Sequence, residues 1–177
     1  MKKDFEFLSG LVNEFFARKA IKDSLSVISK SGMTGWEKWL QIEFAKFCDA
    51  HDDVAEWYRE QRYELDKRLS KDKAICAVDF WIRQKYKQSP LGVEIKQHPS
   101  ASGCIKSMVG DVAKIHQIKY SQDDLRGIWC IGVHGEKPVD AVKRLVVYHA
   151  DERGIGIDTS LVFTKQIGRT GFSVTLL

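Results

Sequence analysis

The residues best suited to chemistry in this sequence are two carboxylates and a lysine, Asp79, Glu94 and Lys96. Asp79 is the only acid in residues 74–82 (AICAVDFWI), which are otherwise apolar and typical of a buried strand. If the chain turns symmetrically about residues 86 and 87, Glu94 lies directly across from Asp79, with the two Cβ atoms about 5 Å apart. Lys96 lies two residues beyond Glu94 and shares its face of the strand. We therefore expect the three side chains to converge on one point.

Two converging carboxylates repel each other, and the repulsion is relieved by a shared proton, a nearby cation or a divalent metal ion. Carboxylate oxygens are preferred ligands of Mg²⁺, and a bound ion polarises a phosphate and lowers the pKa of a bound water molecule. A lysine beside them can orient that water and stabilise developing negative charge. The combination predicts hydrolysis of phosphodiester bonds. A buried ion-pair cluster without turnover is the alternative interpretation.

Helices are predicted to precede these strands. Apolar residues recur at intervals of three and four across residues 3–29, which indicates one or two amphipathic helices. A further helix is expected from an N-cap at Thr34 to about Ala50. Residues 52–60 either prolong that helix or form a separate turn.

Strands and helices then alternate along the chain. Residues 61–69 and 91–97 alternate between apolar and polar side chains, as in strands exposed on one side, whereas residues 74–82 predict a central strand buried on both faces. The remaining patterns predict a helix from the 99–103 loop to about Tyr120, a strand over 128–133, a helix from Pro138 through His149, and a hairpin over 160–177. The expected order is helix, three strands, helix, strand, helix and two strands.

The segment Val78-Asp79, followed after fourteen residues by Glu94-Ile95-Lys96, resembles the signature of the PD-(D/E)XK nuclease superfamily. An acid-bearing helix precedes it, and a helix and a strand follow it. The resemblance covers residues 34–133 and departs from the signature in one place, because Val78 stands where the signature has a proline. It implies an α/β fold with a restriction-endonuclease-like αβββαβ core. The N-terminal helices and the C-terminal helix plus hairpin would extend that core within a single domain of residues 1–177.

The resemblance also implies roles for the residues of the site. Asp79, Glu94 and the main-chain carbonyl of Ile95 would bind Mg²⁺ or Mn²⁺, and Lys96 would be the catalytic lysine. The first core helix of this superfamily often adds an acid. Glu37 is the favoured candidate, and Glu43 stays open as a second one.

Lys106 is a further candidate, because it lies in the first turn of the helix after Lys96 and could approach a phosphate there. A solvated lysine explains its position equally well. The proposed partner is nucleic acid, with DNA as the expected substrate, and the protein could form a homodimer or be recruited by another protein. The alternative from a different class is a catalytically inactive nuclease-like protein that binds nucleic acid or protein as a regulator or inhibitor.

The composition of the chain bears on its location in the cell and on the cofactors that it could bind. The chain has 177 residues, a net charge of +4 and no apolar run long enough to span a membrane, so we expect a cytoplasmic protein without a membrane partner. The four cysteines form no C-x-x-C pair, and the five histidines form no zinc motif. Buried free thiols are the expectation for the cysteines. The sequence contains no phosphate-binding loop that would indicate ATP dependence.

Overall fold

The computed structural model of this protein describes residues 1–64, 75–115 and 125–177. Its helices and strands are, in chain order, α1 (Lys2–Ala17), α2 (Lys19–Ser31), α3 (Glu37–Asp49), β1 (Val54–Glu64), β2 (Ile75–Gln84), β3 (Leu91–His98), α4 (Ala101–Ile115), β4 (Gly127–Gly135), α5 (Val139–Asp151), β5 (Phe163–Gln166) and β6 (Phe172–Leu176). The predicted α/β class is confirmed. Residues 65–69 of the first predicted strand and 116–120 of the helix after β3 lie outside the described residues.

The described strands form one six-stranded mixed sheet in the order β1-β2-β3-β4-β6-β5. Strand β2 is antiparallel to both of its neighbours, whereas β3 and β4 are parallel. Because parallel neighbours need a crossover, α4 connects β3 to β4. The stretch from α3 to β4 therefore runs helix, three strands, helix, strand, as expected.

Each face of the sheet carries its own hydrophobic cluster. One face packs against α1, α2 and α3 through residues such as Phe15, Phe44 and Phe80. The opposite face packs against α4 and α5 through residues that include Met108 and Val146. Side chains alternate between the faces along each strand, so even-numbered residues of β3 face α4. Helices thus flank the sheet on both sides.

The start of α3 differs from the prediction. Thr34 is exposed and does not cap the helix, which begins after Trp36 without a side-chain cap. The indole of Trp36 is buried and contacts the rings of Trp39 and Phe172. Burial of this large side chain fixes where the helix begins, because it stabilises the fold more than a hydroxyl cap would.

Two strands also differ from their predictions. Strand β1 begins at Val54, so residues 54–60 neither prolong α3 nor form a separate turn. They pair antiparallel with β2, beginning with Val54 opposite Gln84. Strand β2 is buried on one face only, because Val78, Phe80 and Ile82 are buried while the alternate residues are partly or fully exposed. Along β2, helices cover only the face that carries Val78, Phe80 and Ile82.

The described free cysteines, Cys48, Cys104 and Cys130, are buried as expected. Burial raises the pKa of the Cys48 and Cys104 thiols to about 12. Within the described ranges, no helix has the length and apolar character required to cross a membrane.

Candidate active site

The hairpin of β2 and β3 positions Asp79 and Glu94 at the same level of the sheet. Its backbone pairs are Phe80 with Val93, Trp81 with Gly92, and Ile82 with Leu91, which is the register predicted from a symmetric turn. One residue beyond the Phe80 pair, the Oδ2 atom of Asp79 accepts a hydrogen bond from the main-chain N–H of Ile95 at 2.9 Å. A side-chain oxygen therefore bridges the two strands where their backbone pairing ends.

Strand β1 is distorted at the same level. Glu60 lies between the pairs Arg59–Phe80 and Gln61–Val78 and has a φ of 56°, in the left-handed region that residues other than glycine rarely occupy. Lys38 and Arg59 each approach its carboxylate at 3.6 Å. Such strain persists only where the surroundings impose it, and it often occurs at functional sites. Here the strained backbone of Glu60 lies at the level of Asp79, where the backbone pairing of β2 with β3 ends.

Glu94 and Lys96 lie on the face of β3 that packs against α4. The Nζ atom of Lys96 lies 3.3 Å from Oε2 of Glu94 and 3.0 Å from Oδ2 of Asp111, which belongs to α4. Glu94 also lies beside Asp79 across the hairpin, close enough for the two negative charges to act on each other. The ammonium group of Lys96 thus contacts two carboxyl groups from different elements, and Asp79 lies beside one of them.

The charges of this cluster are strongly coupled. Burial, followed by repulsion from Asp79, raises the pKa of Glu94 to about 7, although Lys96 acts in the opposite direction. Burial acts to lower the pKa of Lys96, but its hydrogen bond to Asp111 and the surrounding negative charges together raise it above its ordinary value. Lys96 therefore carries a positive charge at neutral pH, and Glu94 is poised to gain or lose a proton there.

Asp111 was not among the residues expected at the site. It is 8% exposed, and it lies three residues after Met108, on the helix side that faces the sheet. An acid inside the apolar pattern of Met108, Val109 and Val112 was the available signal in the sequence. A helical wheel would have placed it on the side of the helix that faces the sheet.

The other acidic candidates lie on α3 and make different contacts. Glu37 is half-buried at the first residue of the helix, and its charge contributes to the raised pKa of the Cys104 thiol on α4. In the described part of the chain it forms no hydrogen bond or ion pair with Asp79, Glu94 or Lys96. Glu43 pairs with Lys46 of its own helix at 2.9 Å. The structure brings neither acid into contact with the cluster.

Lys106 is exposed on α4, and its charge contributes to the lowered pKa of Glu152. The first cause of that lowered pKa is the hydrogen bond from His149, whose Nδ1 atom lies 2.8 Å from Oε2 of Glu152. The charge of Lys106 therefore acts on the end of α5, and the described part of the chain shows no hydrogen bond or ion pair between Lys106 and the carboxylate cluster.

The cluster offers oxygen donors for a metal ion from two strands. Because the N–H of Ile95 points toward Asp79, the carbonyl of the same residue points to the same side of β3. Across residues 1–64, 75–115 and 125–177, no three His, Cys, Asp or Glu side chains are grouped to hold a metal ion. Mg²⁺ is nevertheless often bound by only one or two carboxylates with water molecules completing its shell, so Asp79, Glu94 and the Ile95 carbonyl fit this ion.

No protein family model, curated protein or solved structure matches the chain. The residues of the cluster are therefore the basis for a functional proposal.

Proposed function

We propose that this protein is a metal-dependent nuclease of the PD-(D/E)XK type that hydrolyses phosphodiester bonds in DNA. The observation that carries the proposal is the convergence of Asp79, Glu94 and Lys96 where the backbone pairing of β2 and β3 ends. Two carboxylates and a charged lysine on one sheet face are the groups that metal-assisted phosphodiester hydrolysis requires.

The arrangement of elements supports the same proposal. The helix α3, the antiparallel strands β1, β2 and β3, the crossover helix α4 and the parallel strand β4 follow in the order of a restriction-endonuclease-like core. Fold alone does not define activity, because one fold hosts many functions. The position of the charged cluster within these elements is what makes the likeness relevant to chemistry.

Each residue of the cluster has a proposed role. Asp79, Glu94 and the carbonyl of Ile95 hold Mg²⁺ or Mn²⁺, which when bound polarises the phosphate and acidifies a water molecule. Lys96 orients the attacking water and stabilises the negative charge that develops on the phosphate oxygens. Because Lys96 is only about one quarter exposed, its charge acts with less solvent screening than a surface lysine would.

A second candidate function is a nuclease-like protein that binds nucleic acid or another protein without cutting. The observation that favours it is the ion pairing of Lys96 with both Glu94 and Asp111, since a cluster with a purely structural role would show the same pairing. Cleavage by the purified protein separates the two candidates. For both candidate functions we propose a cytoplasmic location. The protein would act either as a homodimer or through a protein that recruits it.

The test compares the wild type with Lys96→Ala on single-stranded DNA, duplex DNA and RNA, with Mg²⁺ or Mn²⁺ for cleavage and Ca²⁺ for binding. Removing a preorganised charge typically lowers the rate by about 10²-fold or more, while substrate binding changes far less. Lys19→Ala on the exposed surface of α2 is the matched control and should cut like the wild type.

Two results would contradict the proposal. If the wild type cuts none of these substrates with either metal, the binding protein becomes the better interpretation. If Lys96→Ala cuts as well as the wild type, the activity arises elsewhere, and the role given to Lys96 is wrong.

A further inference from the structure

Lys96 is held from two sides by carboxylates on different elements. Its ammonium group has three N–H donors, and the described contacts direct it toward Glu94 on its own strand and Asp111 on α4. Two donors engaged in this way leave one for a water molecule or a phosphate oxygen. The pairing thereby limits the directions in which the flexible lysine side chain can point.

The carboxylates of Glu94 and Asp111 differ in whether they are also proposed to bind the metal ion. Glu94 is a proposed metal ligand, so a bound cation would attract the same oxygens that now face Lys96. Asp111 is not a proposed ligand and is 8% exposed within the face of α4 that packs on the sheet. The ion pair between Asp111 and Lys96 therefore does not depend on the oxygens that a bound cation would attract.

The packing of α4 brings Asp111 close to β3. Gly132 of β4 is the lateral neighbour of Lys96 in the parallel pair, and it has no side chain to separate the helix from the sheet. Cys104 and Met108 of α4 occupy that space, because a Cβ atom at Gly132 would contact the sulfur atoms of both. Asp111 lies three residues after Met108 on the same helix, where its carboxylate reaches Nζ of Lys96 at 3.0 Å.

We propose that Asp111 is a positioning residue for the reaction: it holds the ammonium group of Lys96 in place for the attacking water while the metal ion engages Glu94. This inference rests on the proposed nuclease function. Asp111 touches neither metal nor substrate in this scheme and acts on the reaction through Lys96. Its loss should therefore lower kcat and leave both KM and metal binding nearly unchanged.

The experiment compares wild type, Asp111→Asn and Asp111→Glu in steady-state cleavage of the nucleic acid that the wild type cuts best. Asparagine keeps the shape but removes the charge, so kcat should fall about 10- to 100-fold, as for residues that orient catalytic groups. KM should stay within about twofold, because ground-state binding is unaffected. Glutamate keeps the charge at a displaced position, and its kcat should lie between the other two.

Two controls separate positioning from folding. Asp4→Asn removes a carboxylate that is equally buried, also 8% exposed, and paired with Arg126 at 2.8 Å far along the chain from the site. It should lose stability much as Asp111→Asn does but keep its kcat. The double variant Lys96→Ala/Asp111→Asn should be no slower than Lys96→Ala, because the proposed effect of Asp111 on the reaction passes through that lysine.

The outcomes are distinct. If the wild type cuts and Asp111→Asn has the same kcat, the positioning role is overturned and the proposed function stands. A raised KM, or loss of the thermal shift produced by Mn²⁺ alone, would also overturn it, since Asp111 would then bind substrate or metal. If Asp111→Asn does not fold, Asp111→Glu decides the matter: a kcat several-fold below wild type supports the role, and an equal kcat overturns it. An inactive wild type would instead remove the proposed function and the reaction in which Asp111 acts.

Discussion

The carboxylate of Asp79 takes the place of a strand-to-strand backbone bond, accepting from the N–H of Ile95 at 2.9 Å beyond the last backbone pair of the hairpin. The same side chain is therefore both a structural acceptor and a proposed metal ligand. Asparagine retains a carbonyl oxygen that can accept the bond, but it lacks the negative charge. The two roles of Asp79 can thus be separated by one substitution.

Asp79→Asn should fold and yet lose its response to divalent ions. For the wild type, Mg²⁺ or Mn²⁺ at about 100 times its Kd should stabilise the protein by about 2.7 kcal/mol, which is visible as a higher Tm. In Asp79→Asn the shift should vanish, whereas the surface variant Asp23→Asn should keep it. Equal shifts in wild type and Asp79→Asn would remove Asp79 from the metal site.

Gly132 permits the close approach of α4 to the sheet, and Gly132→Ala should show how tightly this contact is packed. The added Cβ would meet Sγ of Cys104 at 2.8 Å and also contact the sulfur of Met108. Overpacking of this kind costs about 1–3 kcal/mol of the free energy of unfolding, measured by urea denaturation. The loss in the Gly132→Ala/Met108→Ala double variant should be smaller than the sum of the two single losses, because the added methyl group fills part of the space that Met108 leaves.

Gly10→Ala is the matched control for that prediction, because a Cβ there meets nothing within 4 Å. It lies inside α1, where replacing glycine by alanine stabilises a helix by up to about 1 kcal/mol. A Gly132→Ala protein as stable as the wild type would show that α4 can move away from the sheet without cost.

His134 should make the stability of the protein fall at acidic pH. Its side chain is fully buried, with Nδ1 2.9 Å from the carbonyl oxygen of Gly135 and Nε2 2.8 Å from Oγ1 of Thr175. Because a carbonyl only accepts, Nδ1 carries the proton and Nε2 accepts from the hydroxyl. Burial, with a smaller contribution from the charge of Lys137, lowers the pKa of His134 below its ordinary value.

Because its pKa is lowered in the folded protein, protonation of His134 favours the unfolded chain. Below about pH 6.5 the unfolded chain binds a proton at His134 that the folded protein does not, so stability is lost as pH falls through this range. His134→Gln should flatten this part of the curve of unfolding free energy against pH. The exposed His98 is the control, and His98→Gln should keep the acid loss. An unchanged slope in His134→Gln would assign the loss to other groups.

The sequence predicted those parts of the site that depend on short-range geometry. Alternation along β3 and the symmetry of one turn were enough to place Glu94 opposite Asp79 and Lys96 on the same face. Asp111 depends instead on how closely a crossover helix packs on the sheet. That distance is set by Gly132, which is distant in sequence from both Lys96 and Asp111, so alternation within β3 could not reveal the contact.

The boundaries of β1 were missed for a related reason. Residues 52–60 include Asp52, Asp53, Glu56 and Glu60, and this acidic composition resembles a helix end or a turn. The strand forms because Trp57 and Tyr58 pack on opposite faces against Phe80 and Trp81 of β2. Strand preference depends strongly on such cross-strand contacts, which a single segment does not show.

Glu37 and Glu43 of α3 make different contacts. Glu43 is engaged with Lys46, whereas Glu37 is half-buried at the helix start with its charge acting toward α4. A carboxylate without an ion-pair partner in the described part of the chain can turn toward a metal-bound water at little cost. We therefore expect Glu37→Gln to lower the cleavage rate more than Glu43→Gln does.

Both variants should keep the Tm of the wild type to within about 2–4 °C, the shift that about 1 kcal/mol produces in a domain of this size, because neither side chain is fully buried and glutamine keeps its size. The measurement is the initial rate of cleavage with Mg²⁺ at saturating substrate, with Glu14→Gln on α1 as a control for loss of an exposed acid. A larger loss in Glu43→Gln would transfer the role to Glu43. Equal rates in all three variants and the wild type would mean that α3 adds no acid to the reaction, which would then depend on Asp79, Glu94 and Lys96 alone.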